Sequence, residues 1–172
     1  FFVLATQKPI VQDGTYPLPE AQLDRFMFNV VLDYLSFSEE LDVIKNTTSD
    51  KKVDLNKILN AEQILHYQHL IRKIPIADNV LEYAVKLVSK TRPKTEYSSD
   101  YVDKFIAWGA GPRASQFLVI GAKCHAAING KYSPDIEDVK AVAEPILRHR
   151  LVKTYQAEAE GISIEQIIKE LL

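Results

Sequence analysis

The feature that most restricts the fold of this chain is the helical spacing of its apolar residues, which begins near Ser36 and continues to Leu172. Over this stretch apolar side chains recur every three or four positions, as the buried face of an α-helix requires. Signals for helix starts and stops divide the stretch into about six helices. The pattern therefore predicts an all-helical domain over residues 34–172.

The predicted helix boundaries depend on residues that cap the free amide groups of a first turn or end a last one. Capping boxes are expected at Ser36 with Glu39 and at Ser163 with Gln166, and another start at Asn60 with Gln63. Pro112 suits the first position of a helix. The remaining boundaries are N-caps at Asp100 and Ser133 and stops at Gly109 and Gly130, with the Asp100 helix extending through Trp108.

Residues 1–33 have a different sequence pattern, with two short apolar runs at Phe1–Ala5 and Phe26–Leu32. Both runs predict β-strands, and the prolines between them exclude regular structure. A short helical turn is expected at Glu20–Arg25. Because a fully apolar strand needs neighbours on both sides, and because the chain starts without Met, residues 1–33 are interpreted as the remnant of an α/β sheet domain and the chain as a fragment or excised domain.

Composition narrows the class of protein. The chain has 47% hydrophobic and 26% charged residues and a net charge of −2, so no basic excess indicates nucleic acid as the main partner. Cys124 is the single cysteine, which excludes a disulfide framework and a multi-cysteine metal site. No apolar run reaches the ~18 residues that span a bilayer. We therefore expect a reduced, cytoplasmic location.

Polar residues follow the first predicted strand, in the segment Thr6–Pro9. In open parallel sheets, ligands bind beyond the carboxyl ends of the strands. Gln7 and Lys8 are therefore candidates to touch a phosphate or the water that attacks it. The alternative is an ordinary exit from a strand into a loop, and the spacing alone favours that alternative.

Two arginines are further candidates for phosphate binding, because a guanidinium is always charged and forks onto phosphate oxygens. Arg25 lies between a short helix and a strand, where it can reach a neighbouring subunit; the alternative is a surface pair with Asp24 or Glu20. Arg113 follows Pro112 in the first turn of a helix, where a cation is locally unfavourable unless an anion binds there. The alternative for Arg113 is a pair with a nearby carboxylate.

Taken together, these segments resemble the MoxR branch of the AAA+ ATPases. The resemblance is carried first by Val3–Gln7 with Pro9 and by the unbroken thirteen-residue run Gly14–Phe26. Gly109–Ala114 resembles the sensor 2 motif of the family. Two later segments, Tyr132–Lys140 and Pro145–Leu151, resemble the end of its lid. The similarity spans nearly the whole chain and is weakest at 45–60 and 153–172.

The resemblance implies a mainly α fold in which two strands of an AAA+ core, within residues 1–33, precede a helical lid over residues 34–172. It also implies roles. Arg25 corresponds to an arginine finger that acts in trans, and Arg113 to sensor 2. Lys8 occupies the sensor 1 position, where the family usually has Asn. Since Lys can only donate, the resemblance implies slow hydrolysis after good ATP binding, or positioning of the water by Gln7 instead.

For the full-length protein the resemblance implies ATP and Mg²⁺ as cofactors and a ring, expected to be a hexamer. Such a ring would remodel or mature client proteins, often with partners that carry von Willebrand factor A domains. The phosphate loop G-x-x-x-x-G-K-[ST] and the acidic strand end that hold these cofactors do not occur in the 172 residues. They are expected upstream of Phe1, so the fragment alone is expected to be inactive and to bind no cofactor tightly.

Two other classes of function stay open. The first is a non-catalytic interaction module with a decayed ATPase fold, which Lys8 favours. The second is a nucleic-acid motor, which the mild acidity disfavours. A zinc site at His66 and His69 is disfavoured because no third ligand is apparent, so no metal site is predicted.

Overall fold

The computed structural model describes residues 3–7, 18–50 and 55–172. Within these ranges the chain forms nine α-helices, one 3-10 turn and one two-stranded antiparallel sheet. The helices are α1 (Glu20–Leu23), α2 (Phe37–Thr47), α3 (Ala61–Lys73), α4 (Asp78–Lys90), α5 (Asp100–Phe105), α6 (Pro112–Ile128), α7 (Ile136–Leu147), α8 (Tyr155–Ala159) and α9 (Ile164–Leu171). The strands are β1 (Ile106–Trp108) and β2 (Val152–Lys153), and the 3-10 turn is Arg148–Arg150. The prediction of a mainly α fold is confirmed.

The hydrophobic core is formed by residues from α4 through α9, and α6 and α7 lie at its centre. Leu118 of α6 and Ile146 of α7 are fully buried, and burying a side chain of that size stabilises the fold by about 1.5–3 kcal/mol. Gly121 sets the approach of the two helices, since a Cβ there would lie 3.2 Å from Val142 and 3.3 Å from Ile146. The two central helices are therefore matched closely in shape.

The predicted caps at Ser36, Asn60 and Ser163 are confirmed, each as a capping box. The N-cap of α7 is Asp135 instead of the predicted Ser133. The Asp135 carboxylate accepts from the Asp138 amide at 3.1 Å, whereas the Ser133 hydroxyl donates to the Pro75 carbonyl at 3.2 Å. The serine is therefore used to bind a different segment, and the helix starts two residues later than its position would imply.

The prediction of a helix from Asp100 through Trp108 is wrong in its second half. Ser99 caps α5, which ends at Phe105, and the next three residues form β1. Ile106 is buried and pairs with Lys153 of β2, and Trp108 pairs with Val152. Tertiary pairing of β1 with a strand that lies far along the chain outweighs the local helical pattern.

The two strands predicted in residues 1–33 are not formed in the described part of the chain. Residues 3–5 and 26–32 have no sheet hydrogen bonds, and residues 3–7 are exposed. A strand needs a neighbour to pair its backbone groups, and the described residues offer none to these runs. The sheet that is present lies instead at β1 and β2, while the predicted helical turn is confirmed as α1.

The helices α2 and α3 lie outside the core and have no buried residue. The helix α3 packs on α6, and Lys123 donates to the Arg72 carbonyl at 3.2 Å. On α2, Phe37 and Ile44 are exposed. Across the described ranges no helix is long and apolar enough to cross a membrane.

Candidate functional site

Residues 24–29, which follow α1, are bound to the helical domain by a group of charged side chains. We call Asp24, Arg113, Arg148, His149 and Arg150 the junction cluster. Its members lie in three parts of the chain: the position after α1, the start of α6 and the 3-10 turn that follows α7. Because the cluster holds together residues up to 126 positions apart, it fixes Arg25 relative to the helical domain.

Arg150 is the centre of the junction cluster. Its side chain is only 1% exposed, and its Nε donates to Asp24 Oδ1 at 3.0 Å. Its terminal nitrogens donate to the backbone carbonyls of Asp24 at 2.8 Å and Phe26 at 2.5 Å, and to that of Ile146. The guanidinium also lies 5.0 Å from the centre of the Phe117 ring, within range of a cation–π interaction. Arg150 is thus fully occupied by the protein and is not free for a ligand.

Asp24 is shared between two arginines. Its Oδ1 accepts from Arg150, and its Oδ2 forms an ion pair with Arg113 Nη1. Burial lowers the pKa of Arg150, and the Asp24 carboxylate opposes that effect. One carboxylate therefore faces two guanidinium groups and can neutralise only one of them, which leaves an excess of positive charge beside Arg113, whose side chain is 44% exposed.

His149 contributes an imidazole to the same contact. Its Nε2 lies 3.0 Å from the Phe26 carbonyl and 2.7 Å from Arg150 Nη1. Burial lowers the pKa of His149, and the neighbouring Arg150 lowers it further. Its Nδ1 is buried and has no hydrogen-bond partner in the described residues. A neutral imidazole is what this environment favours, so His149 fills the contact without adding a positive charge to those of the three arginines.

Arg148 binds the other end of residues 24–29, at Asn29. It donates to the Asn29 carbonyl at 3.2 Å and to two carboxylates, Glu144 at 2.5 Å and Glu165 at 2.8 Å. The Asn29 amide in turn donates to the Pro145 carbonyl at 2.8 Å. Two hydrogen bonds to one residue fix the direction in which the chain leaves the junction cluster.

The position of Arg113 is set by the loop before α6. The Ala110 amide donates to Thr91 Oγ1 at 3.0 Å, and Arg92 Nε donates to the Ala110 carbonyl at 3.0 Å. Gly109 lies directly against the end of α4, because a Cβ there would meet the Thr91 carbonyl oxygen at 2.3 Å. Close backbone approach is therefore the reason for this glycine, and the predicted role as the stop of α5 is wrong, since α5 ends at Phe105.

The structure brings some of the predicted site residues together. Arg113 is the second residue of α6 and contacts Asp24, the residue before Arg25. Arg25 is exposed and has no ion pair within the described ranges, so the alternative pair with Asp24 or Glu20 is not formed there. Gln7 is exposed, and Lys8 lies outside the described residues.

Asp24 and Arg150 belong to one cluster that the sequence alone does not predict. Their pairing joins positions 126 residues apart, and no local pattern reports such a contact. The available signal was the run of three basic residues Arg148–Arg150 after an apolar helix, which is unusual unless carboxylates or carbonyls neutralise it.

A second charged cluster lies at the far end of α6. The buried Asp138 carboxylate accepts from His125 Nδ1 at 2.7 Å and from Lys131 at 3.1 Å. Burial by itself raises the pKa of Asp138, but hydrogen bonds from the Asp135 amide, His125 and Lys131 outweigh it and lower the pKa to about 2. The cluster anchors the turn between α6 and α7. Within the described ranges no group of three or more His, Cys, Asp or Glu side chains has the geometry of a metal site.

Two family models and two curated relatives match this chain. Residues 1–28 match the family described as ATPase family associated with various cellular activities (AAA), and residues 99–171 match the AAA lid domain. The chain is 36% identical over 172 residues to Chaperone MoxR1 of Mycobacterium tuberculosis, covering 100% of this chain and 45% of that protein. It is 34% identical over 173 residues to the uncharacterized protein YeaC of Bacillus subtilis, covering 100% of this chain and 51% of that protein.

A solved structure is similar as well. The crystal structure described as "a putative ATPase from Cytophaga hutchinsonii" superposes with a TM-score of 0.88 at 39% sequence identity, over 96% of this chain and 50% of that one. The chain thus spans about half the length of the relatives it matches.

Proposed function

Because the chain belongs to the MoxR family of AAA+ ATPases, we propose that it is part of a protein that couples ATP binding and hydrolysis to the remodelling or maturation of client proteins. In this proposal residues 1–33 are the end of the nucleotide-binding core and residues 34–172 are the helical lid. The name of the relative Chaperone MoxR1 supports client proteins as partners. A ring of subunits, with six as the expected number, and partners with von Willebrand factor A domains belong to the same proposal.

Arg25 is proposed as the arginine finger that completes the site of a neighbouring subunit. The observation that carries this role is the contrast between Arg25 and the residue before it. The Arg25 side chain is exposed, whereas Asp24 is held by Arg150 through both its carboxylate and its carbonyl. An exposed guanidinium on an anchored backbone is what stabilising a transferring phosphoryl group requires.

Arg113 is proposed as sensor 2, which binds a phosphate of the nucleotide and moves with the lid. Its place as the second residue of the 17-residue helix α6 puts it beside free amide groups and the positive end of the helix dipole. Its carboxylate partner Asp24 is already shared with Arg150. Arg113 therefore keeps an attraction for a further anion.

The sensor 1 position is assigned to Lys8, with Gln7 as the residue that would orient the attacking water. A lysine donates but cannot accept, so it holds a γ-phosphate without orienting water. Because of that difference, we expect hydrolysis to be slow even though ATP binds well. ATP and Mg²⁺ are the cofactors of this proposal, and the phosphate loop and acidic strand end that hold them are not among the 172 residues.

The proposal is tested by Arg25→Ala in the full-length protein. We expect ATP hydrolysis to fall by about 10³-fold or more while ATP binding stays within about twofold of wild type, because a finger acts on the transition state in the neighbouring site. Arg72→Ala is the matched control, since Arg72 is an exposed arginine on α3 without an ion pair in the described residues. Unchanged turnover in Arg25→Ala would remove the finger role.

A second candidate is a non-catalytic interaction module that retains the ATPase fold. It is favoured by Lys8 and by the exposed apolar side chains of α2, among them Phe37 and Ile44. In that case ATP would bind without turnover in the wild-type protein, and Arg25→Ala would have nothing to abolish.

A further inference from the structure

We propose that Asp24 is a positioning residue for ATP hydrolysis. Its carboxylate holds Arg113 until a nucleotide phosphate takes the place of the carboxylate at Arg113. The resulting movement of Asp24 shifts the next residue, Arg25. The inference rests on the roles proposed above for Arg25 and Arg113. It adds a residue that does not itself contact a nucleotide, and it gives the junction cluster a part in the reaction.

The contacts of Asp24 divide into a permanent and an exchangeable set. Arg150 is buried and donates to both the carboxylate and the carbonyl of Asp24. Arg113 is 44% exposed and pairs with the other carboxylate oxygen. An exposed ion pair contributes little to stability, whereas separating a buried one leaves an uncompensated charge. An incoming anion therefore competes for Arg113 and leaves Arg150 in place.

The carboxylate also contacts the same Arg113 guanidinium that a phosphate would bind in this proposal. The arginine is in the first turn of α6, where backbone amides already favour a negative group. Asp24 places its carboxylate against the Arg113 side chain at this end of the helix. Nucleotide binding through Arg113 must then include the energy of breaking the Asp24 pair, so the pair weakens binding.

The link to Arg25 is covalent and short. Arg25 follows Asp24 directly, and the Arg25 amide bonds to the Gln22 carbonyl at 3.1 Å in the last turn of α1. When Arg113 leaves, the Asp24 side chain is held by Arg150 alone, and the end of α1 readjusts with it. A displacement of about 1 Å in a catalytic group is enough to change a rate about 100-fold.

The test is Asp24→Asn in the full-length protein, with kcat and KM for ATP measured separately. The amide keeps the size of the side chain and removes the charge that holds Arg113. We expect KM to fall by about fivefold, because nucleotide no longer breaks an ion pair, and kcat to fall by about tenfold or more, because Arg25 loses its placement. In an Arg113→Ala background the same substitution is expected to leave KM unchanged.

Glu82→Gln is the control, since it removes a carboxylate from an exposed pair with Lys86 on α4. It is expected to keep wild-type kcat and KM. Should Asp24→Asn fail to fold because Arg150 loses its counter-ion, Asp24→Glu carries the test. Glutamate keeps that charge but adds a methylene, and we expect a folded protein whose kcat is at least about fivefold lower.

The outcomes separate the two proposals. If the wild-type protein hydrolyses ATP and the folded Asp24 variants have the same kcat and KM as wild type, this inference is overturned and the proposed function is not. A parallel rise in KM and loss of kcat, with the same change in the Arg113→Ala background, also overturns it, because that result indicates a purely structural role. Absence of ATP turnover in the wild-type protein overturns the proposed function and this inference with it.

Discussion

Gly109→Ala tests the claim that the loop before α6 is placed by direct backbone contact with the end of α4. A Cβ at position 109 would lie 2.3 Å from the Thr91 carbonyl oxygen, 2.6 Å from the Thr91 carbonyl carbon and 2.7 Å from Arg92 Cα. Ordinary contacts between heavy atoms are about 3.5 Å, so one backbone must move by about 1 Å. All three neighbours are backbone atoms, which cannot rotate away as a side chain can.

The expected loss of stability follows from that displacement. Overpacking of this kind costs about 1–3 kcal/mol. Movement of the loop also strains the bonds of Ala110 to Thr91 and Arg92, each 3.0 Å long. For a domain of this size, 1 kcal/mol corresponds to about 2–4 °C in Tm, so Gly109→Ala is expected to melt about 2–12 °C below wild type.

The matched control is Gly111→Ala, two residues along the same loop. A Cβ at position 111 has nothing within 4 Å, and the backbone φ of −83° is one that alanine adopts freely. Thermal unfolding of the full-length variants, followed by circular dichroism, is expected to show a Tm within about 2 °C of wild type for Gly111→Ala. Equal Tm values for the two variants would refute the backbone-contact argument.

Two further predictions concern the charged clusters. Arg150→Met removes a buried cation that bonds to Asp24, Phe26 and Ile146. We expect urea denaturation to show that the free energy of unfolding falls by about 2–4 kcal/mol. A fall of less than about 1 kcal/mol would mean that Arg150 does not hold the junction cluster together. Asp138 has its pKa lowered to about 2, so its carboxylate stabilises the fold at pH above about 4, and this stabilisation, on the order of 2 kcal/mol, disappears as the pH falls from about 4 to 2. Asp138→Asn is expected to be less stable at pH 7 and to lose less stability between pH 4 and 2, and parallel pH profiles for the variant and wild type would contradict this assignment.

Local signals in the sequence predicted the helices well where the cap and the buried face belong to the same helix. The capping boxes at Ser36 and Ser163 satisfy first-turn amides without help from the rest of the fold, which is why they can be identified from spacing. Pro112 likewise opens α6 as predicted. These boundaries depend on residues within three positions of one another.

The errors share a different cause. Ile106–Trp108 has a helical pattern locally but pairs with residues 152–153, and Ser133 has a cap signal but binds the Pro75 carbonyl. In each case a partner more than 40 residues away decides the structure, and a single sequence carries no record of that partner.

The candidate site was predictable in part. Arg25 and Arg113 were identified as separate arginines, one by its place in the chain and one by the cost of a cation at a helix N-terminus. Their connection through Asp24 and Arg150 was not predictable, because it depends on how α1, α6 and the 3-10 turn pack together. Charge type can be read from a sequence, whereas the pairing of charges is a property of the fold.

Whether the full-length protein hydrolyses ATP is decided by the steady-state release of phosphate from the wild-type protein as a function of ATP concentration, with Mg²⁺ present. We expect saturable release that disappears when Mg²⁺ is chelated, at a rate slow enough to reflect Lys8 in place of the usual Asn. ATP binding without any release of phosphate would contradict it and would favour the non-catalytic interaction module.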